Sequence, residues 1–336
     1  MRVTHWLSLT LVALLLGSVV AGCGKGENKG SGAPTEVSVA LDWYPWANHT
    51  GLYLANAKGY FADEGLKVNL YTPSDPASGL QLVASGKDTF TISYQTDLLL
   101  ARGEGLGVKS VAAFVQQPLN TLMTLQSSGI TKPSQLKGKK VGIAGVASDE
   151  PLLSTVLAAD GLTINDVEVV NVGFDLMPAL LAGTVDGVLG AYAVNEAFLA
   201  EQQGKSVNVM KIQDWGVPAY YELLLVAGDS TVKDNPKLVE KFLRAMSKGY
   251  ADAAKDQSAA LDELVKAAPD TDRAVEAQSL RQVAALWTND GKVTFGTQSE
   301  ERWSAYISWM RQNNILTKDV AINDAFTNEF VAKINK

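Results

Sequence analysis

The first two thirds of the chain alternate between short apolar runs typical of strands and amphipathic runs typical of helices. Residues 37–41 are strand-like and precede a helix-like run at 52–64, and residues 66–71 are strand-like and precede a helix-like run at 78–85. Such alternation is the pattern of βαβ units, because each helix returns the chain to begin the next parallel strand. The sequence therefore predicts an α/β fold with mixed, mostly parallel sheets flanked by helices.

A second strand-and-helix series follows, and after Asp229 the pattern changes to helices only. Asn235-Pro236 marks a helix start, since Asn caps helices and Pro fits their first turn. Two α/β series with a helical tail predict two lobes. Lobe 1 is expected to comprise residues 36–125 plus 225–336, and lobe 2 residues 126–224.

The two lobes are expected to be joined by crossing strands at residues 122–126 and 222–227. Two connecting strands make a hinge, and a cleft between hinged lobes can close on a ligand. We expect the chain to work in this way as a monomer.

The N-terminus carries the pattern of an export signal. Arg2 gives a positive start, residues 7–20 are apolar, and Val20-Ala21-Gly22-Cys23 resembles a bacterial lipobox. The alternative, a buried N-terminal helix, does not account for this order of charged, apolar and small residues. The resemblance implies that residues 1–23 form a lipoprotein signal and lipobox, with cleavage before Cys23, lipid on Cys23 and a membrane anchor. Residues 24–35, rich in Gly, Ser, Asn and Lys, are predicted to form a flexible tether.

Several classes of protein are disfavoured by the composition. Cys23 is the only cysteine and His49 the only histidine after it, so neither a disulfide nor a zinc site is expected in the mature domain. The net charge is −7 with interspersed charges, which argues against nucleic acid. The glycine-containing segment 142–148 lacks the spacing of a dinucleotide or phosphate-binding fingerprint. We therefore predict no cofactor, no metal and no catalytic residue.

Aromatic side chains collect in the loops that follow the predicted strands. Parallel strands end at one edge of a sheet, so these loops should meet in space. Flat aromatic walls suit a flat heterocycle, whereas the alternative is that each ring packs under its own loop. The rings concerned are Trp43, Tyr44, Trp46, Tyr94, Tyr192, Trp215, Tyr220 and Tyr221.

Two carboxylates lie in the same loops. Asp42 and Glu222 could each accept two hydrogen bonds from the amidine-like edge of an aminopyrimidine. The alternatives are a helix cap or a surface charge, although Glu222 precedes an apolar strand, a poor place for an idle charge. His49 is expected to make one hydrogen bond in the pocket or to brace the loop.

The chain resembles the periplasmic solute-binding proteins of ABC importers that take up thiamine pyrimidine precursors. The resemblance spans nearly all of residues 36–332. It is carried by LDWYPWANHTGLYLANAKGYFADEGL, LVASGKDTFTISYQTDLLLARGEG, QQPLNTLM, RWSAYISW and FTNEFV. It implies a two-lobed type II periplasmic binding fold, with an ABC permease and its ATPase as partners and a location on the outer face of the cell membrane.

The resemblance also implies a site. Its motifs match Asp42, Trp43, Asn48 and His49 in the first loop, Tyr94 and Gln95 in a second segment, and Tyr220 to Glu222 in the return strand. Trp46 stands where relatives commonly carry Asn after the proline, and an extra Trp in the pocket is compatible with a larger tricyclic ligand such as a flavin. The predicted ligand-binding residues are Asp42, Trp43, Trp46, Asn48, His49, Tyr94, Gln95, Tyr192, Trp215, Tyr221 and Glu222.

The predicted function is capture of a small aromatic heterocycle, namely a thiamine pyrimidine precursor of the formylaminopyrimidine or hydroxymethylpyrimidine type, for import. The main alternative is a binder of riboflavin or a flavin precursor. An enzyme using Lys58 or Lys87 is a second alternative, but fungal enzyme-like relatives carry a cysteine-rich segment that this chain lacks. A sulfonate binder is a third, and it would need arginines that the pocket loops do not contain.

Overall fold

The computed structural model describes residues 33–335. The predicted signal, Cys23 and the greater part of the predicted tether lie outside these residues. Among the described helices none combines the length and the apolar character that crossing a membrane requires.

Within residues 33–335, ten strands form two sheets of five. In chain order they are β1 (Thr35–Ala40), β2 (Leu66–Tyr71), β3 (Phe90–Ser93), β4 (Val108–Val115), β5 (Asn120–Leu125), β6 (Lys140–Ile143), β7 (Glu168–Asn171), β8 (Gly187–Tyr192), β9 (Val207–Lys211) and β10 (Leu223–Gly228). The first sheet has the order β2-β1-β3-β10-β4 and the second the order β7-β6-β8-β5-β9. Each sheet defines a lobe, called here the first lobe and the second lobe.

Both sheets are mixed. In the first, β1 is parallel to β2 and β3, whereas β10 is antiparallel to β3 and β4. In the second, β6 is parallel to β7 and β8, whereas β5 is antiparallel to β8 and β9. The α/β prediction with two lobes is confirmed.

The position of the crossings differs from the prediction. We expected residues 122–126 to cross between the lobes and placed residues up to 125 in lobe 1, but β5 pairs along its length within the second sheet. The return strand β10 pairs only with the first sheet over Leu223–Gly228. The chain therefore changes lobes in residues 116–119 and again just before β10. An apolar run identifies a strand but not the sheet that it joins, which explains the difference.

Helices cover both sheets. They are α1 (Thr50–Ala57), α2 (Tyr60–Asp63), α3 (Gly79–Ala84), α4 (Gln95–Gly103), α5 (Asp149–Ala158), α6 (Leu176–Leu181), α7 (Glu196–Gln202), α8 (Asp229–Asp234), α9 (Pro236–Lys255), α10 (Gln257–Ala267), α11 (Arg273–Leu286), α12 (Glu300–Gln312), α13 (Ile322–Ala325) and α14 (Glu329–Ile334). The predicted helix start at Asn235-Pro236 is confirmed, and the apolar face of α9 is buried. Phe242 of that face packs its ring 4.9 Å from Phe61 and 4.4 Å from Phe90.

The crossing of α1 over α9 fixes the loop that precedes α1. At this crossing Gly249 lies so close to Gly51 that a Cβ on Gly249 would stand 2.1 Å from the Gly51 carbonyl oxygen. Next to it, the Tyr250 hydroxyl donates to the Asn48 carbonyl at 2.6 Å. The backbone around residue 48 is thus held against the first-lobe core, which positions the aromatic loop that follows β1.

Candidate functional site

A cavity lies between the two lobes and has about 550 Å³ of space, including its open mouth. Loops from both sheets and the segments joining them contribute side chains to it. The lining residues are Asp42, Trp43, Trp46, Tyr94, Thr96, Asn120, Ala144, Val146, Ser148, Asp149, Leu152, Leu176, Gly190, Tyr192, Glu196, Tyr220 and Glu222.

Asp42 forms the polar centre of the first-lobe wall. It lies two residues after the end of β1 and is buried. Its Oδ1 lies 2.9 Å from Nε2 of the fully buried His49, and its Oδ2 accepts a hydrogen bond from the Tyr94 hydroxyl at 3.2 Å. Both carboxylate oxygens are therefore held by first-lobe side chains, so this wall keeps its arrangement without a ligand.

Two tryptophans frame that carboxylate. Trp43 is half-buried, and its ring lies edge-on, 4.8 Å between centroids, to Phe174 of the second lobe. Trp46 is 4% exposed and packs its ring 5.5 Å from Tyr192. The aromatic walls thus come from both lobes, as the sequence predicted for a flat ligand.

Glu222 lies where the chain re-enters the first sheet. Its Oε2 accepts hydrogen bonds from the Leu119 and Asn120 backbone N–H groups and from the Tyr220 hydroxyl, and its Oε1 accepts one from the Tyr192 hydroxyl at 3.0 Å. Burial raises the pKa of Glu222 to about 7, although these donors oppose the rise. Residues of both crossings and of β8 are joined through this one carboxyl group.

The second-lobe wall carries two further carboxyl groups. Asp149 begins α5, and its Oδ2 accepts from the Gly145 and Val146 N–H groups at 2.8 and 3.0 Å. Glu196 begins α7, and its Oε2 accepts from the Tyr192 N–H at 2.8 Å. Burial raises the pKa of each to about 7, and the nearby Asp97 carboxylate adds to the rise at Asp149.

Polar contacts between the lobes share one pattern. Asp97 of α4 accepts from the Ser148 N–H at 3.0 Å and from its hydroxyl at 2.6 Å. Glu276 of α11 accepts from the Asn195 side-chain amide at 2.9 Å. In both cases a first-lobe carboxylate accepts from a second-lobe residue that immediately precedes a cavity carboxyl group, Asp149 or Glu196.

The structure places six of the predicted ligand-binding residues on the cavity. These six are Asp42, Trp43, Trp46, Tyr94, Tyr192 and Glu222. The other five, namely Asn48, His49, Gln95, Trp215 and Tyr221, do not line it.

Three of those five support the wall from behind. His49 holds Asp42, and Asn48 accepts from the Trp287 indole N–H at 3.1 Å. Gln95 accepts from the Tyr221 N–H at 2.7 Å. The short helical turn Ala47–His49 directs Asn48 and His49 into the first-lobe core, and Gln95 is fully buried at the start of α4. Asn48 and Gln95 are therefore not placed as the ligand contacts that were expected, whereas His49 has the alternative role of bracing the loop.

Tyr221 and Trp215 are directed elsewhere. The Tyr221 ring lies 3.9 Å below the Arg302 guanidinium, and its hydroxyl accepts from the Ser299 N–H at 2.7 Å. Consecutive residues of an extended segment point to opposite sides, so Tyr220 faces the cavity and Tyr221 cannot. Trp215 ends a short helical turn after β9 and packs against the hydrophobic core.

Sequence reasoning missed several polar lining residues, notably Thr96, Asn120, Asp149 and Glu196. Asp149 and Glu196 were visible only as acidic residues at helix starts, where a surface acid is the ordinary expectation. Their place at the first helix after β6 or β8 was the available signal, because the segments that follow strand ends gather at the ligand edge of an α/β sheet.

The chemistry of the lining favours a ligand that donates hydrogen bonds. Four carboxyl groups face the cavity, and its lining residues include no Lys, Arg, His or Cys. Within residues 33–335 no group of three or more His, Cys, Asp or Glu side chains is arranged to hold a metal ion. The arrangement can bind and orient an aromatic molecule between its walls.

Two lobes, each built on a five-stranded mixed sheet, with a cavity between them are typical of periplasmic binding proteins. An alkanesulfonate-binding protein from Xanthomonas axonopodis pv. citri has the same fold, with a TM-score of 0.68 at 15% identity, over 88% of this chain and 99% of that one. Residues 46–260 match the model of the family described as NMT1/THI5 like. The chain belongs to this family, as its motifs predicted.

Two relatives carry names that bear on thiamine. A formylaminopyrimidine-binding protein of Halalkalibacterium halodurans is 35% identical over 95% of this chain and 98% of its own length. A putative thiamine biosynthesis protein of Haemophilus influenzae is 38% identical over 64% of this chain and 68% of its own length.

Proposed function

We propose that this protein captures an aminopyrimidine precursor of thiamine and delivers it, chemically unchanged, to an ABC permease. The observation that carries the proposal is the cavity itself. Aromatic rings from both lobes flank four carboxyl groups, and the lining has no cationic side chain. An aminopyrimidine offers a flat ring for stacking and N–H donors for the carboxyl groups.

The relative from Halalkalibacterium halodurans supports the same ligand class. Its name refers to formylaminopyrimidine, and its alignment with this chain covers both lobes. The alignment also supports a location outside the cytoplasm and partnership with a permease and its ATPase, as in importer-linked binding proteins.

Cys23 is part of this proposal as the lipid-bearing anchor, and a Cys23→Ser variant should leave the membrane fraction. If that variant stays in the membrane fraction, Cys23 is not the residue that anchors the protein.

The competing functions fit the cavity less well. A sulfonate is an anion, and four carboxyl groups without a nearby cation would repel it. An enzyme using Lys58 would need that amine in the cavity, but its Nζ pairs with Asp252 at 2.6 Å on the outside of the first lobe. We therefore propose binding without catalysis.

Titration calorimetry with formylaminopyrimidine, hydroxymethylpyrimidine and riboflavin tests the proposal. We expect heat with a pyrimidine and a loss of at least tenfold in affinity for Trp43→Ala, because that ring forms one wall of the cavity. Tyr44→Ala is the matched control, since the adjacent Tyr44 ring is half-exposed and does not line the cavity. Binding of riboflavin alone would replace the proposed ligand, and no heat with any of the three would reject a heterocycle.

A further inference from the structure

Most hydrogen-bond donors of the cavity are already used within the protein. The Tyr94 hydroxyl donates to Asp42, and the Tyr192 and Tyr220 hydroxyls donate to Glu222. The Ser148 hydroxyl donates to Asp97. A ligand carbonyl or other acceptor would find few partners among these groups.

Among the fully buried side-chain donors of the cavity lining, Trp46 Nε1 is the exception. Its side chain lines the cavity and is 4% exposed, yet its indole Nε1 is buried without a hydrogen-bond partner among the described residues. A buried N–H left unpaired costs on the order of 1–3 kcal/mol, so such groups are ordinarily satisfied in the working state.

The Trp46 ring cannot easily turn to find another acceptor. Its faces and edges are packed by Tyr192, 5.5 Å away, and by His49, 6.2 Å away and nearly perpendicular. Its own backbone is held by hydrogen bonds to His49, whose N–H donates to the Trp46 carbonyl at 2.8 Å. An indole has a single donor at a fixed place on the ring, so the partner must come to it.

We propose that the Trp46 indole N–H donates to an acceptor on the ligand, namely the carbonyl oxygen of an acylated aminomethyl group. The assignment rests on the proposed function and makes Trp46 the residue that distinguishes a formylated aminopyrimidine from the free amine. In the free amine, the aminomethyl group is an ammonium near neutral pH and offers no acceptor at the position of the formyl oxygen. With it bound, the Trp46 N–H stays unpaired.

Paired calorimetric titrations with N-formyl-aminomethylpyrimidine and the corresponding free aminomethylpyrimidine test this role. We expect Trp46→Phe to weaken the formylated ligand about tenfold, the value of one lost hydrogen bond to a buried donor, while the affinity for the free amine changes much less. Replacement of Trp46 by 3-benzothienylalanine, which keeps the fused ring and lacks the N–H, should give the same selective loss. This second variant separates the hydrogen bond from the change in ring size.

Trp43→Phe is the matched comparison, because Trp43 lines the same cavity and should affect both ligands alike. The assignment would be overturned if both Trp46 variants bound the formylated ligand as tightly as the wild type does. It would also be overturned if the variants lost affinity for the formylated ligand and for the free amine by the same factor. A wild-type protein that binds neither pyrimidine would overturn the proposed function first, and this assignment with it.

Discussion

The two walls of the cavity are built on different principles. On the first-lobe wall, both oxygens of Asp42 are held by His49 and Tyr94 of the same lobe. On the second-lobe wall, Asp149 and Glu196 each use one oxygen for backbone N–H groups, and the other has no partner among the described residues. The carboxylate of the first wall therefore has a hydrogen-bond partner for both oxygens, whereas each carboxyl group of the second wall has one oxygen that can still accept from a ligand.

The second wall also faces like charges from the first lobe. The Asp97 carboxylate raises the pKa of Asp149, and the Glu276 carboxylate contributes to the raised pKa of Glu196. Bringing the lobes together thus brings two pairs of carboxyl groups near each other, and each pair is more stable when one member is protonated or accepts from a ligand donor. The first lobe therefore supplies a surface whose carboxylate is already paired. The second lobe supplies carboxyl groups that are stabilised by a proton or by a hydrogen-bond donor from a ligand.

The largest expected effect comes from removing Asp42. Asp42→Ala leaves the buried His49 and Tyr94 without their acceptor, so we expect the free energy of unfolding to fall by about 3 kcal/mol. Urea denaturation at pH 7 measures it. Asp149→Ala is the matched change in the second wall and should cost about 1 kcal/mol or less, because loss of its backbone hydrogen bonds is offset by relief of repulsion with Asp97. Equal losses for the two variants would show that the walls do not differ in this way.

An intermediate effect concerns pH. The folded-state pKa values of Asp149, Glu196 and Glu276 are about 7, well above the usual carboxyl range near 4, because burial disfavours their charged forms. Between these two values the folded chain binds more protons than the unfolded chain, so the free energy of unfolding should fall as the pH rises from 5 to 8. Each group contributes on the order of 1–3 kcal/mol to this fall. Urea denaturation at several pH values measures the slope.

Matched variants assign that slope to the cavity. Asp149→Asn and Glu196→Gln should each flatten it, since an amide does not titrate. Glu150→Gln should leave it unchanged, because Glu150 is exposed and adjacent to Asp149. A reduced slope should remain in the double variant Asp149→Asn with Glu196→Gln, because Glu276 and Glu222 also have pKa values of about 7. A slope as steep as that of the wild type would locate the linked protons elsewhere.

The smallest expected effect concerns the contact between α11 and the start of α7. Asn195→Ala removes the amide that donates to Glu276 and leaves one Glu276 oxygen without this partner, so we expect about 1 kcal/mol of lost stability. Gln202→Ala removes an exposed bond to Asp272 at 3.2 Å and should change stability by about 0.5 kcal/mol or less. Thermal unfolding of both variants checks the order, and a larger loss for Gln202→Ala would contradict it.

The sequence predicted the fold and the composition of the first wall. Alternating strand and helix patterns indicate βαβ units directly, and the loop after β1 carries its aromatic and acidic residues in an unbroken run. Asp42, Trp43 and Trp46 accordingly line the cavity. Asn48 and His49 belong to the same run, but a single helical turn directs them into the core, and no periodic pattern reveals a turn of three residues.

The second wall was harder to predict for two physical reasons. Asp149 and Glu196 each follow a residue that contacts the other lobe, Ser148 or Asn195, and contact with a distant part of the chain leaves no local pattern. Tyr220 and Tyr221 are adjacent, and which of them faces the cavity depends on the phase of an extended segment. That phase is set by the pairing that begins one residue later at Glu222 and Leu223, which the sequence does not display.

The order of strands has a consequence for how the chain is assembled as it leaves the ribosome or the export channel. Every strand of the second sheet comes from residues 120–211, one continuous stretch, whereas the first sheet needs β10, more than a hundred residues after β4. A nascent chain can therefore complete the second sheet while the first sheet still lacks β10, the strand that lies between β3 and β4. The half that starts first is completed last, and until then its central edges lie open to other strands and to chaperones.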